Sequence, residues 1–243
     1  MATLSDDLKG SGPINGSEVK SSDVGTVTWV EYASAYSRTA GGLVNDYSSY
    51  NSGEAFTAPS GLITGRPVSY VVEADMSCTR YDNVVVSALQ VRYDDQNYEI
   101  GPSITHITSY LGSTPEGRYQ IRDVYHGNLL TLYTDTVDRG TGAVKRRLEL
   151  EYMNAFDGYR YRCFADGVQL DMGFVNQTWL LDQSDGQIRT LVQLNRQSEA
   201  GGTQPLVSNY YGHIGEPEGP GPDPDPEPPG VFWTGFVNTR EVV

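Results

Sequence analysis

The chain has 243 residues and a net charge of −14, with 38% hydrophobic and 20% charged residues. This length suits one domain of about 200 residues with extensions, and the negative charge argues against nucleic acid or an anionic membrane as the main partner. No apolar stretch approaches the roughly 20 residues of a membrane span, and the first ten residues lack the features of a signal peptide, so we expect neither secretion by the usual route nor membrane insertion.

The first 25 residues are polar, rich in glycine and serine and without periodicity, which predicts an extended N-terminal arm over residues 1–25. From residue 26 the pattern changes to short runs of period two that are separated by turn residues. Residues 68–78 give the clearest alternation, with apolar side chains on one face and Glu73 and Asp75 on the other. We therefore predict a strand there with one face in contact with water.

Many more short strands follow at close spacing. They are predicted over residues 26–32, 83–93, 98–100, 119–124, 129–134, 145–153, 159–164, 168–172, 188–195 and 205–213. The polar turn at residues 94–97 indicates a hairpin, and no window predicts an amphipathic helix longer than two turns. The sequence thus predicts an all-β fold, a sandwich or a barrel, over residues 26–215.

The C-terminal part of the chain changes composition sharply. Residues 216–230 contain five acids, no base and proline at almost every second position, which predicts an extended, polyproline-like spacer. Residues 231–243 then form an apolar segment that suits addition to the sheet edge of another chain, or a return onto the same sandwich. The docking residues predicted in it are Val231, Phe232, Trp233, Phe236 and Val237.

Several segments, taken in order, resemble a known family. They are LSDD (residues 4–7), TW (28–29), YVVEAD (70–75), LQVRYDDQNY (89–98), LEL (148–150) and YRCFADGV (161–168). This order is similar to that of concanavalin A-like (laminin G-like) jelly rolls, although Leu8 stands in place of the usual phenylalanine after the first motif. The resemblance covers roughly residues 4–213 and implies a jelly-roll β-sandwich with extended arms at both ends.

A second resemblance is to tail and other virion proteins of bacteriophages, whose chains carry glycine-rich arms, Pro/Gly spacers and short tryptophan-containing segments such as residues 231–235. It implies a structural, non-enzymatic virion component, either a minor tail protein or a capsid decoration protein, assembled in the host cytoplasm. Its partners would be other virion proteins and copies of itself. The arms at residues 1–25 and 216–243 would attach it to its neighbours.

Two segments have the composition of a sugar site, which combines flat aromatic rings with amides or acids. The candidate carbohydrate-binding residues are Tyr47, Tyr50, Asn51, Tyr93, Asp95, Asn97 and Tyr98. They would let a virion protein contact host-surface glycans. The alternative function is a stand-alone carbohydrate-binding module.

A glycoside hydrolase is the third hypothesis, because one enzyme group of the jelly-roll fold carries the motif Glu-x-Asp-x-x-Glu on a strand. Glu73 and Asp75 match its first two positions, but Cys78 occupies the third and cannot act as the general acid. Glu149 and Glu151 form another pair on one strand face, which we expect to be neutralised by cross-strand pairing with an arginine, Arg160 or Arg162. The sequence therefore predicts no catalytic residues.

Cofactor signals are weak. Asp94 and Asp95 are candidate calcium ligands in a polar turn, and His106, His126 and His213 match no metal-binding spacing. The two cysteines, Cys78 and Cys163, are compatible with one disulfide bridge or with two buried thiols. We expect no cofactor other than calcium.

Overall fold

The computed structural model describes residues 2–32, 36–45, 51–57, 69–77, 85–92, 101–111, 114–125, 128–134, 143–153, 158–175, 189–196 and 206–215. Within them the chain forms seventeen strands and no helix, and no helix there could span a membrane. The strands are β1 (Ala2–Asp6), β2 (Gly12–Pro13), β3 (Ser21–Ser22), β4 (Trp29–Tyr32), β5 (Tyr36–Arg38), β6 (Leu43–Asn45), β7 (Asn51–Thr57), β8 (Ser69–Ser77), β9 (Val85–Arg92), β10 (Gly101–Leu111), β11 (Thr114–Tyr125), β12 (Asn128–Thr134), β13 (Val144–Met153), β14 (Gly158–Ala165), β15 (Val168–Val175), β16 (Arg189–Arg196) and β17 (Leu206–Ile214).

The strands form two antiparallel sheets. A ten-stranded sheet has the order β15-β14-β13-β8-β17-β6-β5-β2, with β1 paired to β17 and β3 paired to β1. A seven-stranded sheet has the order β12-β11-β10-β9-β16-β7-β4. Strand β10 approaches β13 and strand β16 approaches β6, so the sheets pack as a sandwich. The all-β prediction is confirmed.

Alternation along β8 determines which face of the ten-stranded sheet is buried. Tyr70, Val72, Ala74 and Met76 are at most 3% exposed, whereas Glu73 and its neighbours on the other face are half-buried. Leu148 and Leu150 of β13 and Tyr159 and Tyr161 of β14 continue the buried face. The face assignment made from the sequence for residues 70–76 is therefore correct, and Cys78 lies outside the described residues.

The hairpin between β14 and β15 turns at an Asp-Gly dipeptide, which favours two-residue β-hairpin turns. Asp166 and Gly167 both have positive φ, 47° and 78°, which is the backbone of a type I′ turn that matches the twist of the flanking strands. The Asp166 carboxylate also accepts a hydrogen bond from the Lys145 backbone N–H at 2.9 Å. The turn is thereby tied to the neighbouring strand β13.

The N-terminal residues are part of the sandwich, which corrects the prediction of an extended arm over residues 1–25. Strand β1 pairs with β17 from Ala2 opposite Ile214 to Asp6 opposite Tyr210. Its apolar residues and those after it belong to the core: Leu4, Leu8, Ile14 and Val19. The prediction failed because burial alternates over residues 2–8 but one of the buried positions is the polar Asp6, which hides the period of two in the sequence.

Candidate functional site

A buried carboxylate anchors the start of the chain. Asp6 is 2% exposed, and both its oxygens accept hydrogen bonds from Arg38, at 3.0 and 2.8 Å. It also accepts from the indole N–H of Trp29 at 2.9 Å and from the backbone N–H of Leu8 at 2.8 Å. Four donors occupy this carboxylate, so Asp6 is a structural residue that holds β1, β4 and β5 together.

The chain turns sharply directly after Asp6. Leu8 has φ of 59°, an unusual value for a residue with a Cβ, and is fully buried. Its backbone N–H bond to Asp6 closes the local turn that fixes this conformation. Leu8, which stands in place of the usual phenylalanine, thus fills an apolar core position.

Strand β17 carries a β-bulge opposite this turn. Its pairing with β8 shifts between Ser208 and Tyr211, so that Asn209 and Tyr210 together face a single residue of β8. Asn209 has φ of 53°, and its backbone N–H donates to the carbonyl of Asp7 at 3.1 Å. The bulge and the turn after β1 are therefore hydrogen-bonded to each other.

An open depression of about 400 Å³ lies where these two irregular segments meet. Its lining residues are Ser5, Asp6, Asp7, Lys20, Asn209, Tyr210 and Tyr211. Register places Ser5 opposite Tyr211 and Asp6 opposite Tyr210. Since Asp6 and Tyr210 are buried, they form the floor, and the half-buried Tyr211 and the exposed Asn209 form the accessible wall.

The wall of the depression carries an ion pair. Lys20 bonds to the Asp7 carboxylate, and this contact is the main reason why the pKa of Asp7 lies below its usual value. The Lys9 backbone N–H also donates to Asp7, at 2.8 Å. The Asn209 side-chain amide donates to Asp75 at 2.6 Å. The depression therefore combines an aromatic ring with an amide, a carboxylate, an ammonium group and the Ser5 hydroxyl, the groups with which proteins hold sugar rings and their hydroxyls.

The acidic pairs considered for catalysis carry counter-charges. Glu149 bonds to Arg147 at 2.6 Å and to Arg162 at 2.8 Å, and Glu151 bonds to Arg160. The expected cross-strand pairing with arginines is confirmed. Guanidinium groups thus bond to both glutamates, an arrangement typical of structural ion pairs on a sheet face.

Glu73 belongs to the same network. It contacts Arg147 and Lys145, each at 3.3 Å. Partial burial lowers the pKa of Arg147, but its bonds to Glu149 and Glu73 outweigh this effect and raise the pKa above its ordinary value. In the half-match to the hydrolase motif, Glu73 is thus part of an ion-pair network on the outer face of the ten-stranded sheet, whereas Asp75 accepts a hydrogen bond from the Asn209 amide.

Of the sequence-predicted sugar residues, none lines the depression among the residues that the structure describes. Only Asn51 lies among the described residues, as the first residue of β7, where its backbone pairs with that of Arg196. The residues from Tyr93 to Tyr98 follow β9, whose last residue, Arg92, pairs with Arg189. Arg189 and Arg196 are the two ends of β16, about 23 Å apart at 3.3 Å per residue. The two predicted loops therefore leave opposite ends of the seven-stranded sheet. Tyr47, Tyr50, Tyr93, Asp95, Asn97 and Tyr98 themselves lie outside the described residues.

Other predicted sites also lie outside. The calcium candidates Asp94 and Asp95 and the docking segment from Val231 to Val237 are not among the described residues. Within the described ranges, no group of three or more histidine, cysteine or acidic side chains could hold a metal ion. Cys163 is buried, and Cys78 lies outside the described residues.

The depression was missed by sequence reasoning because its residues come from distant positions. Ser5 and Asp7 precede the first recognised strand, whereas Asn209 and Tyr211 belong to the last one. One signal was present: the pair Asn209-Tyr210 interrupts the alternation of residues 205–213, as expected for a bulge. The pairing of β1 with β17 that brings these residues together is not encoded in any local spacing.

Comparison with known proteins places the fold. No family model matches the sequence, and no curated protein matches it. Among solved structures, alginate lyase Aly36B, determined with an alginate tetrasaccharide, is similar with a TM-score of 0.55 and 11% identity over 89% of this chain and 98% of that chain. Lectin II from Ulex europaeus gives 0.52 and 10% over 88% and 98%. The carbohydrate recognition domain of Emp47p gives 0.51 and 12% over 88% and 95%. The chain therefore has the fold expected from its motifs, a lectin-like jelly-roll β-sandwich.

Proposed function

We propose that the sandwich is a non-enzymatic carbohydrate-binding module and that the depression between β1 and β17 is its glycan site. The observation that carries the proposal is the convergence of Tyr211, Asn209, Asp7, Lys20 and Ser5 in this depression. The fold supports it, since two of the similar structures are a lectin and a carbohydrate recognition domain.

The geometry suggests how a sugar would bind. The ring of Tyr211 offers an apolar surface for the C–H face of a pyranose, and the polar groups around it offer donors and acceptors to the hydroxyls. The floor beneath is rigid, because Asp6 holds Arg38 and Trp29, and Trp29 packs edge-on against Tyr210 at 5.2 Å between ring centroids. A floor that is already ordered before the sugar arrives reduces the entropy cost of binding.

The test uses the full chain on an array of neutral, acidic and bacterial-envelope oligosaccharides, followed by titration with the best binder. Tyr211→Ala should weaken binding at least about tenfold, as expected for loss of a stacking ring. Lys20→Gln, which changes only an exposed side chain, should also weaken it and guards against loss of fold in the first variant.

Phe174→Ala is the matched control in the solution titration, where a single free oligosaccharide is insensitive to association between copies: it removes an exposed aromatic ring from β15, four strands away from β17 on the same sheet. Binding that is equally sensitive to Phe174 and Tyr211, or insensitive to both, would refute the assignment of the site. Absence of binding to every glycan, including fragments of the envelope of the host, would refute the proposed function.

We propose further that this module is a component of a bacteriophage particle, tail-associated or capsid-decorating, and is found in the virion. The acidic proline-rich spacer at residues 216–230 and the apolar segment after it support this proposal, because together they suit attachment to other virion proteins or to copies of the chain. Deletion of residues 231–243 should leave the sandwich folded and abolish incorporation into particles. Normal incorporation, measured by mass spectrometry of purified particles, would contradict the anchoring role.

A further inference from the structure

Strand β15 forms an edge of the ten-stranded sheet. In the part of the chain that the structure describes, β15 pairs with β14 on one side and no strand pairs with its other side. An exposed edge of this kind offers backbone N–H and C=O groups to any incoming strand.

The large exposed apolar residues of the described chain lie on this same strand. Val168, Met172 and Phe174 are 64%, 61% and 58% exposed. Met172 pairs with Arg162 and Phe174 with Arg160, so both apolar side chains stand on the outer face beside arginines. Within the described ranges, β15 therefore combines an unpaired backbone edge with an apolar accessible face, which are the two properties of a strand-addition site.

On the outer face of the sheet, the charged residues nearest to β15 are positive, and the one acidic residue of β15, Asp171, accepts a hydrogen bond from Tyr161. Arg160 and Arg162 lie on β14, next to β15, whereas their partners Glu149 and Glu151 lie one strand farther in, on β13. A segment that approaches from the edge therefore meets the two arginines before the glutamates. An acidic approach is favoured over a basic one.

The chain itself supplies a segment of matching chemistry. Residues 231–237 (VFWTGFV) are apolar and strand-forming, and they follow the acidic spacer of residues 216–230. The spacer begins after Gly215, whose backbone N–H donates to Ser69. Across the neighbouring strands, Ser69 is paired with Glu151, Glu151 with Arg160, and Arg160 with Phe174. The last residue before the spacer, Gly215, therefore lies at the same level along the strands as Phe174.

The distances favour a partner in another copy. Gly215 and Phe174 are four strand spacings apart, about 19 Å. The spacer in polyproline conformation spans about 46 Å, and proline-rich chains are semi-rigid. An extended spacer would be more than twice as long as this gap, which favours a receiving edge in a second copy.

We propose that residues 231–237 of one copy add as a strand to the edge of β15 of a second copy. Apolar side chains of the added strand would then lie beside Met172 and Phe174. This rests on the docking role given to the segment under the proposed function, and it names the surface that receives it. Because donor segment and receiving edge are different surfaces, the contact is heterologous and links successive copies unless a reciprocal exchange closes it as a dimer.

The test starts from full-length chain that carries Trp233→Ser and Phe236→Ser, which leaves the edge of β15 unoccupied. A synthetic peptide of residues 229–238 with an N-terminal fluorescein label is titrated with this chain and followed by the fluorescence anisotropy of the label. Binding should weaken at least about tenfold when Met172→Lys is added. Ser21→Lys, which places the same charge on the exposed strand β3, should leave it unchanged.

Light scattering of the unsubstituted chain then shows whether the segment binds to its own chain or to a second copy. Concentration-dependent association that is lost in Met172→Lys supports the proposal. A monomer at all concentrations, or peptide binding that is indifferent to Met172→Lys, overturns it. Glycan binding in the Met172→Lys variant should be unchanged, so failure of this proposal is distinguishable from failure of the carbohydrate site.

Discussion

The buried pair of Asp6 and Arg38 gives the sharpest stability prediction. Replacement Asp6→Asn keeps the size of the side chain but removes its charge, and the new amide nitrogen would face donors of Arg38 or Trp29 that now bond to a carboxylate oxygen. The Asp6 side chain is fully buried and that of Arg38 is 8% exposed. Breaking a buried ion pair from one side costs about 3–5 kcal/mol, because the remaining charge loses its partner.

The adjacent Asp7 provides a matched control. Its ion pair with Lys20 is exposed, with side-chain exposures of 41% and 48%, so Asp7→Asn should cost less than about 1 kcal/mol. Urea unfolding at neutral pH, followed by far-UV circular dichroism, measures both free energies. If Asp6→Asn is too unstable to purify, the double variant with Arg38→Met, which removes both charges, should recover part of the loss.

The two aspartates therefore differ in their predicted effect although they are sequence neighbours. A cost for Asp6→Asn that lies within about 1 kcal/mol of that for Asp7→Asn would refute the reasoning that β1 is fixed by a desolvated carboxylate. The same result would weaken the rigidity argument for the depression, since Asp6 forms its floor.

Two further predictions concern Tyr161. Burial and the hydrogen bond to Asp171 at 2.9 Å raise the pKa of Tyr161 well above its usual value. The stability that neutral Tyr161 confers is therefore complete below about pH 10 and is lost as the pH rises from there, because the unfolded chain ionises first. Tyr161→Phe should flatten this alkaline decline of the unfolding free energy in a series of urea titrations, and an unchanged slope would contradict the prediction. A Cβ at Gly173 would lie 2.7–2.8 Å from the hydroxyl oxygen and two ring carbons of Tyr161. Gly173→Ala should therefore destabilise the sandwich by about 1–3 kcal/mol in thermal or urea unfolding. A neutral effect would show that the Tyr161 ring moves aside freely.

Much of the ten-stranded sheet was predictable from the sequence, because one of its faces contacts solvent and the strands therefore alternate between apolar and polar residues. Alternation of apolar and charged residues in β8 and β13 identified both strands and their faces, and it implied the ion pairs of Glu149 and Glu151. The Asp166-Gly167 turn was readable for a different reason: few residues adopt two successive positive φ values.

Other elements lacked such a signal. Strand β10 has eleven residues, but its sequence GPSITHITSYL mixes serine and threonine with isoleucine, so no clean alternation marks it, and only the β-branched content indicates a strand. Strand β1 was taken for an extended arm because its buried residues include the polar Asp6. A buried aspartate is recognisable only when its partners, Arg38 and Trp29, are known to be near.

The depression could not be predicted for the same reason. It depends on long-range pairing between the first and last strands of the sandwich and on a bulge at Asn209. The described strand ends next to the loops that the sequence did suggest, Asn51 of β7 and Arg92 of β9, pair with opposite ends of β16. Composition identified residue types that suit sugar binding, but topology decides which of them share a surface.

The most direct measurement is a two-dimensional NMR titration of the full chain with the glycan that binds best. We predict that backbone amide shifts concentrate at Ser5, Asp7, Lys20, Asn209 and Tyr211, and that Tyr211→Ala abolishes them. Shifts that concentrate instead in residues 93–98 or around Asn51, with none at the junction of β1 and β17, would contradict it.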